Sequence, residues 1–69
     1  MTPRDYLAAA GAALYGARWQ SALATDLGLS RTHLVRLLSG ERPVTAAHVE
    51  RVRALLVERG RRCAELAAA

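Results

Sequence analysis

The chain has 69 residues, ten Arg and no Lys, six acidic residues and a single cysteine, with a formal net charge of +4 and a sequence pI of about 10.6. That length allows one small domain, close to the lower limit for a core that holds without a disulfide or metal, and leaves no room for a large catalytic cleft. Cys63 alone excludes an intrachain disulfide and agrees with a reducing, cytoplasmic setting.

The chain reads as helices from end to end. Thr2 suits an N-cap, Pro3 the first helical position and Asp5 the positive end of the helix, so helix 1 is predicted to begin at Pro3. Leu7, Ala10 and Leu14, with Tyr6 or Gly11 at the margin, form its apolar stripe, and Gly16 ends it. Helix 2 is predicted from about Arg18 to Leu27, burying Leu23 and Leu27 with Trp19 as a core anchor. Within Gln20 to Gly40, the small Ala24 permits close crossing of a second helix, and Gly28 supplies a left-handed C-cap. Leu29 then turns inward and Ser30 caps helix 3, Arg31 to Ser39, which Gly40 closes. Glu41 to Val44 is a turn, because Pro43 disfavours helix at the residue before it. Thr45 caps helix 4, from about Ala46 to Arg59, with Val49, Val52, Leu55 and Leu56 inside. Gly60 either ends this helix or sits within it, and in the second case the helix runs to about residue 66, with Cys63 and Leu66 continuing the stripe. With no strand signal, the expected fold is all-α: a small four- to five-helix bundle in one domain, residues 1–69.

Helix 3 carries the functional reading. At about 100° per residue, Leu34, Leu37 and Leu38 fall on one side, while Arg31, Thr32, Val35, Arg36 and Ser39 occupy an arc of roughly 140° on the other. Two Arg able to read guanine edges, a Thr and a Val able to meet a thymine methyl, and hydroxyls for phosphate make that arc suited to a DNA major groove. Charge agrees. Through Ser30, Arg4 and Arg18 balance Asp5 and Asp26, whereas Arg31 to Arg62 holds eight Arg against Glu41, Glu50 and Glu58, so the positive field begins at helix 3.

The Gln20–Gly40 stretch, QSALATDLGLSRTHLVRLLSG, resembles the Cro/C1-type (XRE-like) helix-turn-helix family, and the likeness extends loosely over residues 3–60. The resemblance implies a lambda-repressor-like DNA-binding domain of the kind found in small phage and mobile-element transcriptional regulators. It implies base-reading by Arg31, Thr32 and Arg36, to which Val35 adds an apolar contact, and phosphate contacts by Gln20 and Ser30; Ser39 and Arg42, beside the following loop, are further backbone candidates. Leu37 departs from the pattern, since many relatives carry Trp there. The expected function is a sequence-specific double-stranded DNA-binding regulator, a repressor that occupies a palindromic operator as a homodimer. Leu56, Cys63 and Leu66 are the candidate dimerisation residues, because one such small module contacts too little DNA for strong specific binding.

Other classes are weaker. His33 and His48 stand fifteen residues apart without a matching Cys or carboxylate cluster, so no metal or cofactor is expected. His33 lies at the edge between the two faces of helix 3, and His48 reads as a surface residue. No nucleophile, base and orienting group assemble into an enzyme pattern. Cys63 reads as a small thiol in a dimer seam, with redox sensing beside Arg61 and Arg62 as the alternative. The eleven-residue apolar run Leu7–Ala17 is far below the roughly twenty residues that span a bilayer, and the neutral segment before it is unlike a signal peptide. The main rival function is an antitoxin or protein-interaction module that works through Val52, Leu56, Cys63 and Leu66.

Overall fold

Thr2 starts the first helix by accepting the Asp5 backbone N–H on its hydroxyl at 3.1 Å, leaving Pro3 at a position whose missing N–H costs nothing. The computed structural model describes residues 1–69 and contains helices and turns only. The elements are α1 (Pro3–Tyr15), a short 3-10 turn (Gly16–Arg18), α2 (Trp19–Leu27), α3 (Arg31–Ser39) and α4 (Ala46–Ala68). No helix is long and apolar enough to cross a membrane.

Each helix sends its apolar stripe to one core. Leu7 and Ala10 come from α1, Leu23 and Ala24 from α2, Leu34 and Leu37 from α3, and Val52 from α4. Five of these, Leu7, Leu23, Leu34, Leu37 and Val52, are wholly removed from solvent, each contributing about 1.5–3 kcal/mol of hydrophobic stabilisation. Leu37 fills its place in the core as a fully buried side chain. Leu27, Val49, Leu55 and Leu56, expected inside, are only half-buried. So small a body has too little second-layer structure to close over the edges of its helices.

Trp19 is half-buried against this core and packs closely on Gly11 of α1: a Cβ added there would stand 2.2 Å from its Cε3. Gly11, placed at the margin of the helix 1 stripe by periodicity, is buried because of that approach.

Gly60 sits within α4, which continues to Ala68. Its 23 residues make a rod of about 34 Å, and the molecule measures 44 × 21 × 20 Å. Everything from Val57 onward is exposed.

Polar contacts tie α4 to the ends of α1 and α2. Arg59 donates to the Leu14 carbonyl at 2.6 Å and places its guanidinium 5.6 Å from the Tyr15 ring centre. Arg51 donates to the Asp26 carbonyl at 3.4 Å. Both carbonyls belong to last turns, which have no intrahelical donor and carry the negative end of the helix dipole. Tyr15 donates its phenolic O–H to the Asp26 carboxylate. Burial, then the hydrogen bond and charge of Asp26, push the Tyr15 hydroxyl up to about 12, against an opposing pull from Arg59.

His48 departs from the sequence expectation of a mere surface residue. Its backbone N–H donates to the Thr45 hydroxyl at 3.4 Å, while its Nδ1 accepts the Thr45 N–H at 3.0 Å. The imidazole thus closes a capping box usually completed by Glu or Gln.

Candidate nucleic-acid interface

The α2–α3 junction is determined by three consecutive residues. Gly28 takes φ 71° and ψ 27°, a left-handed conformation that side chains with a Cβ resist. Its N–H donates to the Thr25 carbonyl at 3.1 Å, and the Leu29 N–H reaches back to Ala24 at 2.9 Å. This crossed pair is the Schellman closure, and Leu29 packs on the core as the accompanying hydrophobic contact. Ser30 then accepts the His33 N–H at 3.0 Å and starts α3.

The burial of α3 divides by face. Leu34 and Leu37 are buried and Leu38 is half-buried, whereas Arg31, Thr32, Val35, Arg36 and Ser39 are all exposed. Val35 is 44% exposed, one of four large apolar side chains the chain leaves open to solvent. An exposed β-branched side chain between two guanidinium groups gains nothing for the core. It suits a surface that meets both apolar and hydrogen-bonding groups on a partner.

Around that face the expected backbone contacts fall into two groups. Gln20 accepts a long 3.5 Å hydrogen bond from Arg31 Nη2, which joins the start of α2 to the start of α3. Ser30 uses an acceptor lone pair in its cap and keeps its O–H free to donate. Arg42, exposed in the loop after α3, has no side-chain partner, although its N–H closes the loop onto the Arg36 carbonyl at 3.1 Å. Ser39 differs from the other three. Its hydroxyl donates to the Arg36 carbonyl at 3.1 Å and accepts the Glu41 N–H at 3.4 Å, so its one proton is already engaged in terminating α3.

Arg36 is paired as well, with its Nε 3.3 Å from the Glu41 carboxylate across an exposed contact. Such a pair is worth between nothing and about 1 kcal/mol and yields to a stronger partner. His33, at the edge of α3, meets His48 edge-on with ring centres 6.4 Å apart. That contact lies where α3 approaches the start of α4, and His33 itself is half-buried.

The guanidinium groups left without a partner are distributed differently from the sequence count. Arg51 and Arg59 are engaged at helix ends. Arg53 pairs with Glu50, and Arg61 and Arg62 with Glu58 and Glu65, along α4; the Arg61 contact holds the Glu58 carboxyl below the usual carboxylate range. Conversely, the Arg4 and Arg18 guanidinium groups make no ion pair with Asp5 or Asp26, and the Asp26 carboxylate accepts from Tyr15 instead. The α4 pairs stand at i,i+3 and i,i+4 spacing and are legible in the sequence, whereas no sequence signal marks the contacts of Arg51 and Arg59, which cross between elements.

Of the proposed dimerisation residues, Leu56 packs half-buried on the core, while Cys63 is exposed and Leu66 is 60% exposed. They share one side of α4, with the last two beyond the body. The structure has no group of three or more His, Cys, Asp or Glu side chains placed to hold a metal. Comparison with protein-family models, with curated proteins and with solved structures finds no match to this chain.

Proposed function

We propose that the chain is a double-stranded DNA-binding transcriptional regulator of the Cro/C1 helix-turn-helix kind, with α2 and α3 as its motif and α3 as the helix that enters the major groove. The observation that carries this reading is the division of α3: leucines inward, and Arg31, Thr32, Val35 and Arg36 outward without an internal role for their side chains beyond two exposed contacts. With its side chains α3 is about 10–12 Å across, which fits a major groove about 12 Å wide. Arg31 and Arg36 read guanine edges, Thr32 and Val35 meet thymine methyls, and Gln20, Ser30 and Arg42 hold phosphates. Ser39 is left to terminate the helix.

A single module of this size covers too little DNA for tight specific binding, so a homodimer places two copies of α3 in successive major grooves about 34 Å apart on a palindromic site. The distal stripe of α4 at Cys63 and Leu66 is the surface left for the second copy, and repression follows from occupying a promoter. The same exposed end of α4 favours a second reading, in which that stripe binds a different protein, as an antitoxin does.

Fluorescence anisotropy of the protein against its own upstream DNA and a scrambled duplex, at several salt concentrations, tests the proposal. The upstream DNA is expected to bind about a thousandfold tighter or more, with a steep salt slope. Equal, weak binding to both overturns it and directs attention to a protein partner for α4. Sedimentation of the free protein checks the dimer.

A further inference from the structure

Seven of the ten Arg side chains have a partner within the chain: Arg31, Arg36, Arg51, Arg53, Arg59, Arg61 and Arg62. Arg4, Arg18 and Arg42 have none, and all three are exposed. They come from three different elements yet gather at the two ends of α3. Arg18 lines a cleft with Gln20, Ser21 and Arg31, beside the first turn of α3. At the other end, the Arg4 guanidinium reaches from α1 and lies over Gly40, where an added Cβ would stand 2.7 Å from its Nη1. Arg4 shares that hollow with Arg42 and Pro43, and Arg42 also borders a second hollow with Arg36 and Glu41. Unpaired guanidinium groups therefore stand at both ends of α3, with Arg31 and Arg36 exposed between them.

We propose that Arg4 and Arg18, which lie outside α3 and its loop, are phosphate contacts that grip the two DNA strands bordering the groove α3 enters. The inference rests on the DNA-binding reading. Its support is placement: unpaired guanidinium groups stand at either end of α3, and phosphates border both edges of the groove that α3 enters. Arg18 joins Gln20 on one strand, and Arg4 joins Arg42 on the other. An acidic peptide has no reason to match two cationic ends with base-reading chemistry between them. Gly40 gains a second role here, since any side chain would displace Arg4 from the loop.

The test measures log Kobs against log salt concentration for a short mixed-sequence duplex. Arg4→Gln and Arg18→Gln are each expected to lower the slope by about one, and the double variant by about two. Base preference selected from a random duplex pool stays unchanged. Arg53→Gln, on α4 and paired with Glu50, is expected to leave the slope as it is. Thermal unfolding of the Arg4 and Arg18 variants should match the parent, because neither side chain has a bonded partner to lose. If the parent binds and the two variants retain its full slope, this inference falls alone. If Arg53→Gln lowers the slope equally, general charge is responsible and the inference also falls. A parent that binds no duplex overturns the DNA-binding reading and this inference with it, and binding of an acidic peptide instead would have the same consequence.

Discussion

Replacing Gly11 and Gly60 by Ala, one at a time, applies the same chemical change to the interior of two helices and should give different results. In an unobstructed helix interior, Gly→Ala stabilises by up to about 1 kcal/mol, because Ala loses less backbone freedom on folding. Gly60 is such a position, since a Cβ there meets nothing within 4 Å. At Gly11 the same Cβ would lie 2.2, 2.8 and 2.9 Å from Cε3, Cδ2 and Cζ3 of Trp19. Carbon atoms pack at about 3.5–4.0 Å, so the indole must retreat by more than about 1 Å. Overpacking of this kind costs about 1–3 kcal/mol. Set against the propensity gain, Gly11→Ala is neutral to destabilising by about 2 kcal/mol. The difference between the two variants isolates the overlap, because the propensity gain is common to both. For a domain of this size that difference separates their Tm values by about 4 °C or more. Urea titrations followed by circular dichroism and by the emission of Trp19, the only Trp in the chain, provide the assay. If Gly11→Ala raises the midpoint as much as Gly60→Ala and leaves the emission unchanged, Trp19 does not rest on Gly11 and the stated cause of that glycine is wrong.

Arg36→Ala should cost about 1–3 kcal/mol on a selected operator and relax preference at one base pair per half-site. Glu41→Gln releases Arg36 from its 3.3 Å ion pair and should tighten binding by up to about fivefold, the worth of an exposed pair; weaker binding would mean that Glu41 orients Arg36 for its task. Tyr15 gives a pH dependence. Its hydroxyl ionises at about 12 in the folded chain against 10.0 unperturbed, so its contribution to stability is complete below pH 10 and is lost as pH rises towards 12. Tyr15→Phe should flatten the fall in urea midpoint over that interval, and an equally steep fall in the variant would refute the assignment.

Local chemistry made much of this molecule legible in its residue order. Thr2 and Pro3, Gly28 and Ser30, Gly40 and Thr45 define helix boundaries through interactions spanning three or four residues. The inward positions Leu7, Leu23, Leu34, Leu37 and Val52 follow from helical period alone, as does the outward set on α3, because a helix has only one side to bury. The local code also held the His48 cap in its Thr45-x-x-His48 spacing, although imidazole is an unusual partner there.

Tertiary structure decided what required distance in sequence to close to contact in space. Gly11 is buried because Trp19, eight residues later, folds back onto it. Arg59 reaches the end of α1 across 45 positions. Charge shows the difference most clearly. Counting Arg along the chain places the cationic field from Arg31 onward, but Coulomb attraction depends on distance in space and on screening. In the folded chain Arg51 and Arg59 are occupied at helix ends, while Arg4 and Arg18, neutral on paper beside Asp5 and Asp26, stand unpaired at either end of α3. Sequence by itself determined the helices and their faces, because those depend on near neighbours. Only the fold decided that Arg51 and Arg59 are engaged while Arg4 and Arg18 are left free, because those contacts depend on which helix ends the core brings together.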